Sequence, residues 1–233
     1  MCSHFKCALF PIVHYILHCL FDLLVHLFYF IFMIEDPSLK HKKIFEASLK
    51  LFSRYGYKKT TVEDVASEMG MTKSNIYFYV KNKRDLYEKT VSNALENWRD
   101  SVASAVSGVD DVVEKFSVMA KESFDYLANH EELRAVLMKD PGIFSLSPRE
   151  DRFYKINLGA MKLIKNILVQ GIKEGHFHAI DVDHTTELFF SIYIMFLIKT
   201  YVKSEGISSV RMYDEGLKII LRGLCKDPSV LRA

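Results

Sequence analysis

The 233-residue chain predicts an all-α fold, and three observations carry that prediction. Proline and glycine are sparse, at 5 and 10 residues, so long segments run without a backbone breaker. From residue 38 onward apolar side chains recur at i, i+3, i+4 and i+7, the period of a helix face. No run of alternating apolar and polar residues bounded by turn signals occurs, which is what a half-buried strand requires. With 49% apolar residues the chain is able to bury a sizeable core in one or two domains.

The first 37 residues are atypical. Residues 5–34, FKCALFPIVHYILHCLFDLLVHLFYFIFMI, exceed the roughly 20 apolar residues a membrane span needs. Against a span, His14, His18, Asp22 and His26 recur every four residues, and an aspartate at the bilayer centre costs about 3 kcal/mol on insertion scales. Lys6 alone precedes the stretch, and no small-residue cleavage site follows it. Its vocabulary of Phe, Leu, Ile, Tyr, His and Cys is that of translated AT-rich non-coding DNA, and Met33 offers an alternative start that leaves 201 residues. The favoured expectation is upstream mis-translation. A membrane anchor tethering the protein is the alternative, and an extra interaction helix the third reading.

The next predicted helix follows Ser38 as cap, sets Ile44, Ala47, Ser48, Leu51, Phe52 and Tyr55 on one face and ends in Phe52 and Tyr55-Gly56-Tyr57. TVEDVASEMGMTKSNIYFYVKNK, residues 61–83, then carries the stop, turn and restart signals of a helix-turn-helix. Thr61 with Asp64 three residues on is a capping-box variant, and Asp64 also meets the positive helix end. Val62, Val65, Ala66 and Met69 share an apolar face, and Gly70 suits the turn after a helix C-terminus. Thr72 caps a second helix in which Ile76 and Val80 point inward. Lys73, Ser74, Asn75, Tyr77 and Tyr79 are left outward, where they would meet DNA. The hydroxyls of Tyr77 and Tyr79 favour exposure over Phe78, with plain packing as the competing role.

Charge follows the motif. Residues 38–89 carry 12 Lys/Arg against 6 Asp/Glu, a net of +6, whereas residues 90–233 carry 18 against 20, a net of −2. A basic module of this kind neutralises phosphates.

With KKIFEASLKLFSRYGYKKTTV upstream and Lys83 with DLYEKTV downstream, residues 40–92 resemble the DNA-binding domain of the TetR (tetracycline-repressor) family. Two departures are visible: Val80 stands where the family usually has Phe, and Phe78 occupies a position more often polar. The resemblance implies a homodimeric, ligand-responsive regulator, usually a repressor, whose final two helices pair. Lys83 matches the family's phosphate-contacting lysine. The expected DNA contacts are Lys73, Ser74 and Asn75 at base edges, since Lys donates to guanine and Asn pairs with adenine. Tyr77 and Tyr79 are expected at phosphates or thymine methyls, with Thr61, Thr72 and Lys83 on the backbone.

The remaining predicted helices are Arg84–Ser104, 112–128, 131–139, 149–174, 183–203 and 210–226. The first links a helix-turn-helix domain at 38–92 to a helical regulatory and dimerisation domain at 93–233. Pro141-Gly142 through Pro148 is irregular, with Ile143, Phe144 and Leu146 tucked inward as a gate. LFFSIYIMFLI at 188–198 is expected to be buried on all sides, too short and too closely flanked by charge to span a bilayer. The last helix sets Tyr213, Leu217, Ile220, Leu221 and Leu224 on one face.

Cysteines at 2, 7, 19 and 225 imply no disulfide framework, which fits a cytoplasmic setting. His176, His178 and His184 have no ligand-type spacing, so surface histidines rather than metal ligands are expected. Gly-rich phosphate loops, nucleophile elbows, HExxH and paired-cysteine motifs are lacking, so neither an enzyme nor a cofactor is expected. The expected partners are double-stranded DNA, a second copy of the chain and a small effector, with no membrane unless residues 5–34 act as an anchor. An apolar pocket lined by some of Phe116, Met119, Phe124, Phe144, Phe153 and Tyr193 would select a lipophilic effector, because no compensating set of buried polar groups is apparent.

Overall fold

A computed structural model describes residues 37–145, 151–203, 207–227 and 229. The readings of residues 5–34, of Met33 and of Leu146 lie outside the described residues. The chain divides into two compact units, Met1–Lys43 and Ile44–Ala233. The first contributes only the opening turns of one helix to the described residues.

Among the described residues the elements are α1 (Pro37–Lys59), α2 (Val62–Glu68), α3 (Lys73–Tyr77), α4 (Lys83–Ser107), α5 (Val112–Asn129), α6 (Glu131–Lys139), a 3-10 turn (Pro141–Ile143), α7 (Tyr154–Lys173), α8 (Val182–Leu197, continued by a π-turn at Ile198–Val202) and α9 (Ile207–Leu224). Oxygen-bearing side chains start five of them. Thr61, Thr72, Asn82, Asp111 and Asp181 each accept a hydrogen bond from the backbone N–H three residues on, satisfying a donor that the helix itself leaves unpaired.

The sequence reading of α1 needs two corrections. Ser38 lies inside the helix rather than capping it. Tyr55 is exposed, not buried with Ile44, Leu51 and Phe52, because the helix breaks at Gly56, whose φ of 76° is a left-handed value that side chains disfavour. The break turns Tyr57 back onto Phe52 and Tyr87, with ring centroids 6.3 and 5.0 Å away. Buried Thr60 closes it, its hydroxyl donating to the carbonyls of Gly56 at 3.0 Å and Leu51 at 3.3 Å.

Helix α4 runs unbroken through residues 92 and 93 and buries Leu86, Tyr87, Val91, Leu95 and Trp98 as expected, along with Val102 and Val106. Helix α7 starts five residues later than expected and stops just before Gly175.

Helix α8 departs most from expectation. Ile194, Phe196 and Leu197 are buried, but Leu188 and Met195, one stripe apart by seven residues, are exposed at 56% and 44%. Apolar composition alone does not say which neighbours exist, and among the described residues one face has none. With its π-turn the helix spans 21 residues, Val182–Val202, long and apolar enough to cross a membrane by length and composition, so shortness does not exclude a span. Helix α9 buries Tyr213, Leu221 and Leu224 as expected and half-buries Leu217 and Ile220, while Met212 and Ile219 stand exposed.

Candidate DNA-reading head and effector cavity

The head is built around α2 and α3. Val62, Val65, Ala66 and Ile76 are buried together with Val80, which lies beyond the end of α3 rather than within it. Between the helices Gly70 takes a φ of 62°, and the N–H of Met71 closes the turn on the Ala66 carbonyl at 2.8 Å. The capping box is complete: the Asp64 N–H donates to the Thr61 hydroxyl at 3.1 Å, and the Thr61 N–H donates to the Asp64 carboxylate at 2.7 Å. Those bonds from Thr61 hold the Asp64 carboxyl below its ordinary pKa, because they favour the charged form.

Lys73, Ser74, Asn75 and Tyr77 are exposed on the outer side of α3, as are the capping residues Thr61 and Thr72. Two of the expected contacts are already engaged. The Lys73 ammonium is ion-paired with Glu63 of α2, a hydrogen bond that raises the Lys73 pKa and lowers that of Glu63. Lys83 donates to the Lys58 carbonyl at 3.1 Å and lies 4.7 Å from the Tyr57 ring centre, so it ties α4 to the end of α1. The aromatic order is reversed from the sequence reading. Phe78 is 84% exposed, whereas Tyr79 is half-buried against the core. The α3 helix stops at Tyr77, so positions 78 and 79 do not continue its wheel.

Behind the head lies a cleft of about 690 Å³ walled by Tyr57, Lys58, Arg84, Tyr87, Lys139 and Arg152, among others. Four hydrogen bonds from three side chains cross it. Lys139 donates to the carbonyls of Ser53 and Arg54, the latter at 3.0 Å. The Tyr87 hydroxyl donates to Asp140 at 2.9 Å, and Arg152 donates to the same carboxylate oxygen at 2.7 Å. Burial and the Asp140 hydrogen bond push the Tyr87 pKa upward. Sequence reading missed this latch, because its partners are 53 and 85 residues apart.

A second space, about 120 Å³, lies among α4, α5, α7, α8 and α9. Phe116, Met119, Phe144 and Tyr193 line it as expected, with Trp98, Ile156 and others. Phe124 and Phe153 do not: Phe124 is consumed by packing on Tyr213, ring centroids 4.6 Å apart, and on Tyr193 and Tyr201, and Phe153 is buried in the core. Arg99, Ser123 and Asn157 also line the cavity, polar groups that the sequence reading did not place there. Ser123 is buried and accepts the Trp98 indole N–H through its carbonyl at 3.1 Å. Two chain segments line both the cavity and the cleft, through different residues. Asp140 faces the cleft while Ile143 and Phe144 face the cavity, and Arg152 faces the cleft while Ile156 faces the cavity.

The His184 Nδ1–H donates to the Asp181 carboxylate at 2.8 Å at the start of α8. Among the described residues no group of three His, Cys, Asp or Glu is arranged to hold a metal ion.

Residues 44–90 match the family described as bacterial regulatory proteins, tetR family. An uncharacterised HTH-type transcriptional regulator, YhgD of Bacillus subtilis, is 25% identical over 158 residues, 67% of this chain and 82% of its own. The fatty acid metabolism regulator protein of B. subtilis is 20% identical over 186 residues, 79% and 95% of the two chains. The crystal structure of a transcriptional regulator FadR from B. subtilis in complex with stearoyl-CoA superimposes with a TM-score of 0.65 at 20% identity, covering 78% of this chain and 98% of that one. The capped helix pair, its exposed outer face and the matched segment agree: residues 44–90 are the DNA-binding head of a transcriptional regulator of the tetR type.

Proposed function

We propose that the protein is a cytoplasmic homodimeric repressor that reads a palindromic operator and is released by a small, largely apolar effector. The observation that carries this reading is the pair of segments shared between cavity and cleft. Asp140 and Ile143 are three residues apart on one 3-10 turn, about 6 Å at a rise of ~2 Å per residue. An effector that displaces Ile143, Phe144 or Ile156 therefore moves the anchor points of Asp140 and Arg152. Those residues hold Tyr87 at the base of α4, and neighbouring Lys139 holds the end of α1. A bistable latch of this kind converts occupancy into a change of head position.

A five-residue recognition helix makes too few base contacts for tight specific binding, so pairing two heads is the physical remedy. The surface for it is the apolar face left open on α8 and α9. Leu188 and Met195 stand on one helix, and Met212, Ile219 and Gly223 lie at helical spacing on the other, Ile219 being 69% exposed. A methyl added at exposed Gly223 would meet nothing within 4 Å, so a second backbone is free to approach there. Exposed apolar patches of this kind mark association surfaces.

Selection from randomised duplexes with purified protein, followed by sedimentation of the complex, tests the reading. Two chains on an inverted repeat are expected. Recovery of one chain on a non-repeated site would contradict it. At the duplex, Ser74, Asn75 and Tyr77 meet bases and adjoining phosphates, Lys73 does so after exchanging Glu63 for DNA, and Thr61, Thr72, Tyr79 and Lys83 position the head. Among relatives, a stearoyl-CoA complex and a fatty-acid regulator support an acyl-type effector.

A further inference from the structure

Three of the cavity-facing residues of α4, Leu95, Trp98 and Val102, are buried and apolar, and the fourth position of that stripe is Arg99. It is the one charged side chain among the described residues that line the cavity. Its stem lies against α7 at Gly159, where a Cβ would come within 2.9 Å of the arginine Cδ and 3.5 Å of a guanidinium nitrogen. Its side chain is 31% exposed, which puts the guanidinium at the rim rather than the floor. Its partner is Asp100, its own chain neighbour, at 2.7 and 2.8 Å. That carboxylate is 65% exposed, and an exposed pair between neighbours is weak and readily exchanged. Nothing in the packing of a plain core helix calls for a cation in this position.

We infer that Arg99 is the head-group site of the effector cavity, and that the effector is an amphiphile with an apolar chain inside and an anionic group, carboxylate or phosphate, at the rim between α4 and α7. This rests on the cavity reading of the preceding section and adds the chemical class. A guanidinium donates two parallel hydrogen bonds to either anion, and the missing side chain at Gly159 leaves room for the arginine to lie against α7. The apolar lining leaves chain and anion to divide the binding energy, the charged pair accounting for roughly ten- to a hundredfold in affinity. The free cavity of about 120 Å³ is somewhat below the roughly 150 Å³ that holds benzene, so an eight-carbon chain enters only as the lining yields, which is the displacement of Ile143, Phe144 or Ile156 that the latch requires.

Trp98 is the only tryptophan in the chain and lines the cavity beside Arg99, so its fluorescence reports binding directly. Titrations of the full chain with octanol, octanoate and octanoyl-CoA, in the wild type, Arg99→Gln and Arg99→Lys, test the proposal. The wild type is expected to bind octanoate, octanoyl-CoA or both at least about tenfold more tightly than octanol; the stronger of the two identifies carboxylate or phosphate as the head. Arg99→Gln is expected to erase that preference with octanol affinity and duplex binding unchanged, and Arg99→Lys to keep part of it. Equal affinity of the wild type for octanol and both anions, or unchanged anion affinity in Arg99→Gln, overturns the head-group assignment while leaving the cavity reading intact. Failure of all three compounds to bind the wild type overturns the cavity reading and this proposal together.

Discussion

The head and the cavity region bury similar residues but are specified differently. Between residues 60 and 83 the structural bonds are mostly local: Thr61 with Asp64, Thr72 with Asn75 and Asn82 with Asp85 are all three residues apart. Around the cavity and the cleft the decisive contacts join distant segments, such as Trp98 to Ser123 and Phe116 to Phe189 at the cavity and Tyr87 to Asp140 at the cleft. A region fixed by local caps and tight packing is suited to presenting a rigid surface. A region fixed by long-range side-chain contacts around a void is suited to changing shape when the void is filled.

The largest contrast should come from core truncation in the head. Ile76, fully buried in the core of the head, is expected on truncation to Ala to cost about 2–5 kcal/mol and to abolish duplex binding, as followed by thermal unfolding and gel shift. Filling the cavity should do the opposite. Met119→Trp is expected to leave duplex affinity near wild type and remove the effector response; a variant that still responds normally would show that the cavity is not the effector site.

Next in size is base reading. Asn75→Ala should cost about 1–3 kcal/mol at one base position, whereas Lys83→Ala should weaken all sequences alike and flatten the salt dependence by about one unit of slope. Equal loss on every sequence for Asn75→Ala would remove it from the base-reading set. Because Lys83 also ties α4 to the Lys58 carbonyl, its removal should lower the head's melting temperature as well, which a purely phosphate-contacting lysine would not do.

The smallest expected effects concern caps and pH. Thr61→Ala should cost about 1 kcal/mol, read by hydrogen exchange of the α2 amides. Hydrogen bonds from Thr61, Lys73 and Lys50 hold Asp64, Glu63 and Glu68 below their ordinary pKa values. The unfolded chain therefore binds more protons there, so this contribution is complete above the ordinary carboxylate range, about 3.9–4.3, and is lost as pH falls through the depressed values. Exchange in α2 should accelerate across that window. In Asp64→Asn the acid dependence of α2 exchange should shrink.

This contrast also explains what the sequence made legible. The helix-turn-helix was readable because Thr61, Gly70 and Thr72 announce its boundaries within a dozen residues. Exposure at its end was not, since Phe78 and Tyr79 exchange roles once α3 stops at Tyr77. In the cavity Phe116, Met119, Phe144 and Tyr193 were found by aromatic and apolar spacing, but the same spacing cannot separate a void-lining ring from Phe124, which packs on other rings. Arg99 carried a signal that was passed over: a cation at i+4 from Leu95 and one residue after Trp98 on an apolar stripe. The open face of α8 was unreadable because burial depends on neighbours that one helix does not encode.

The coupling between the two regions is most directly measured by linkage. Using the duplex chosen by selection and an effector that perturbs Trp98 fluorescence, duplex affinity is titrated with and without effector, and effector affinity with and without duplex. The two factors should be equal and unfavourable, and Tyr87→Phe should change that factor while leaving effector binding to the free protein intact. An effector that fills the cavity and leaves duplex affinity unchanged would contradict the coupling of cavity to head.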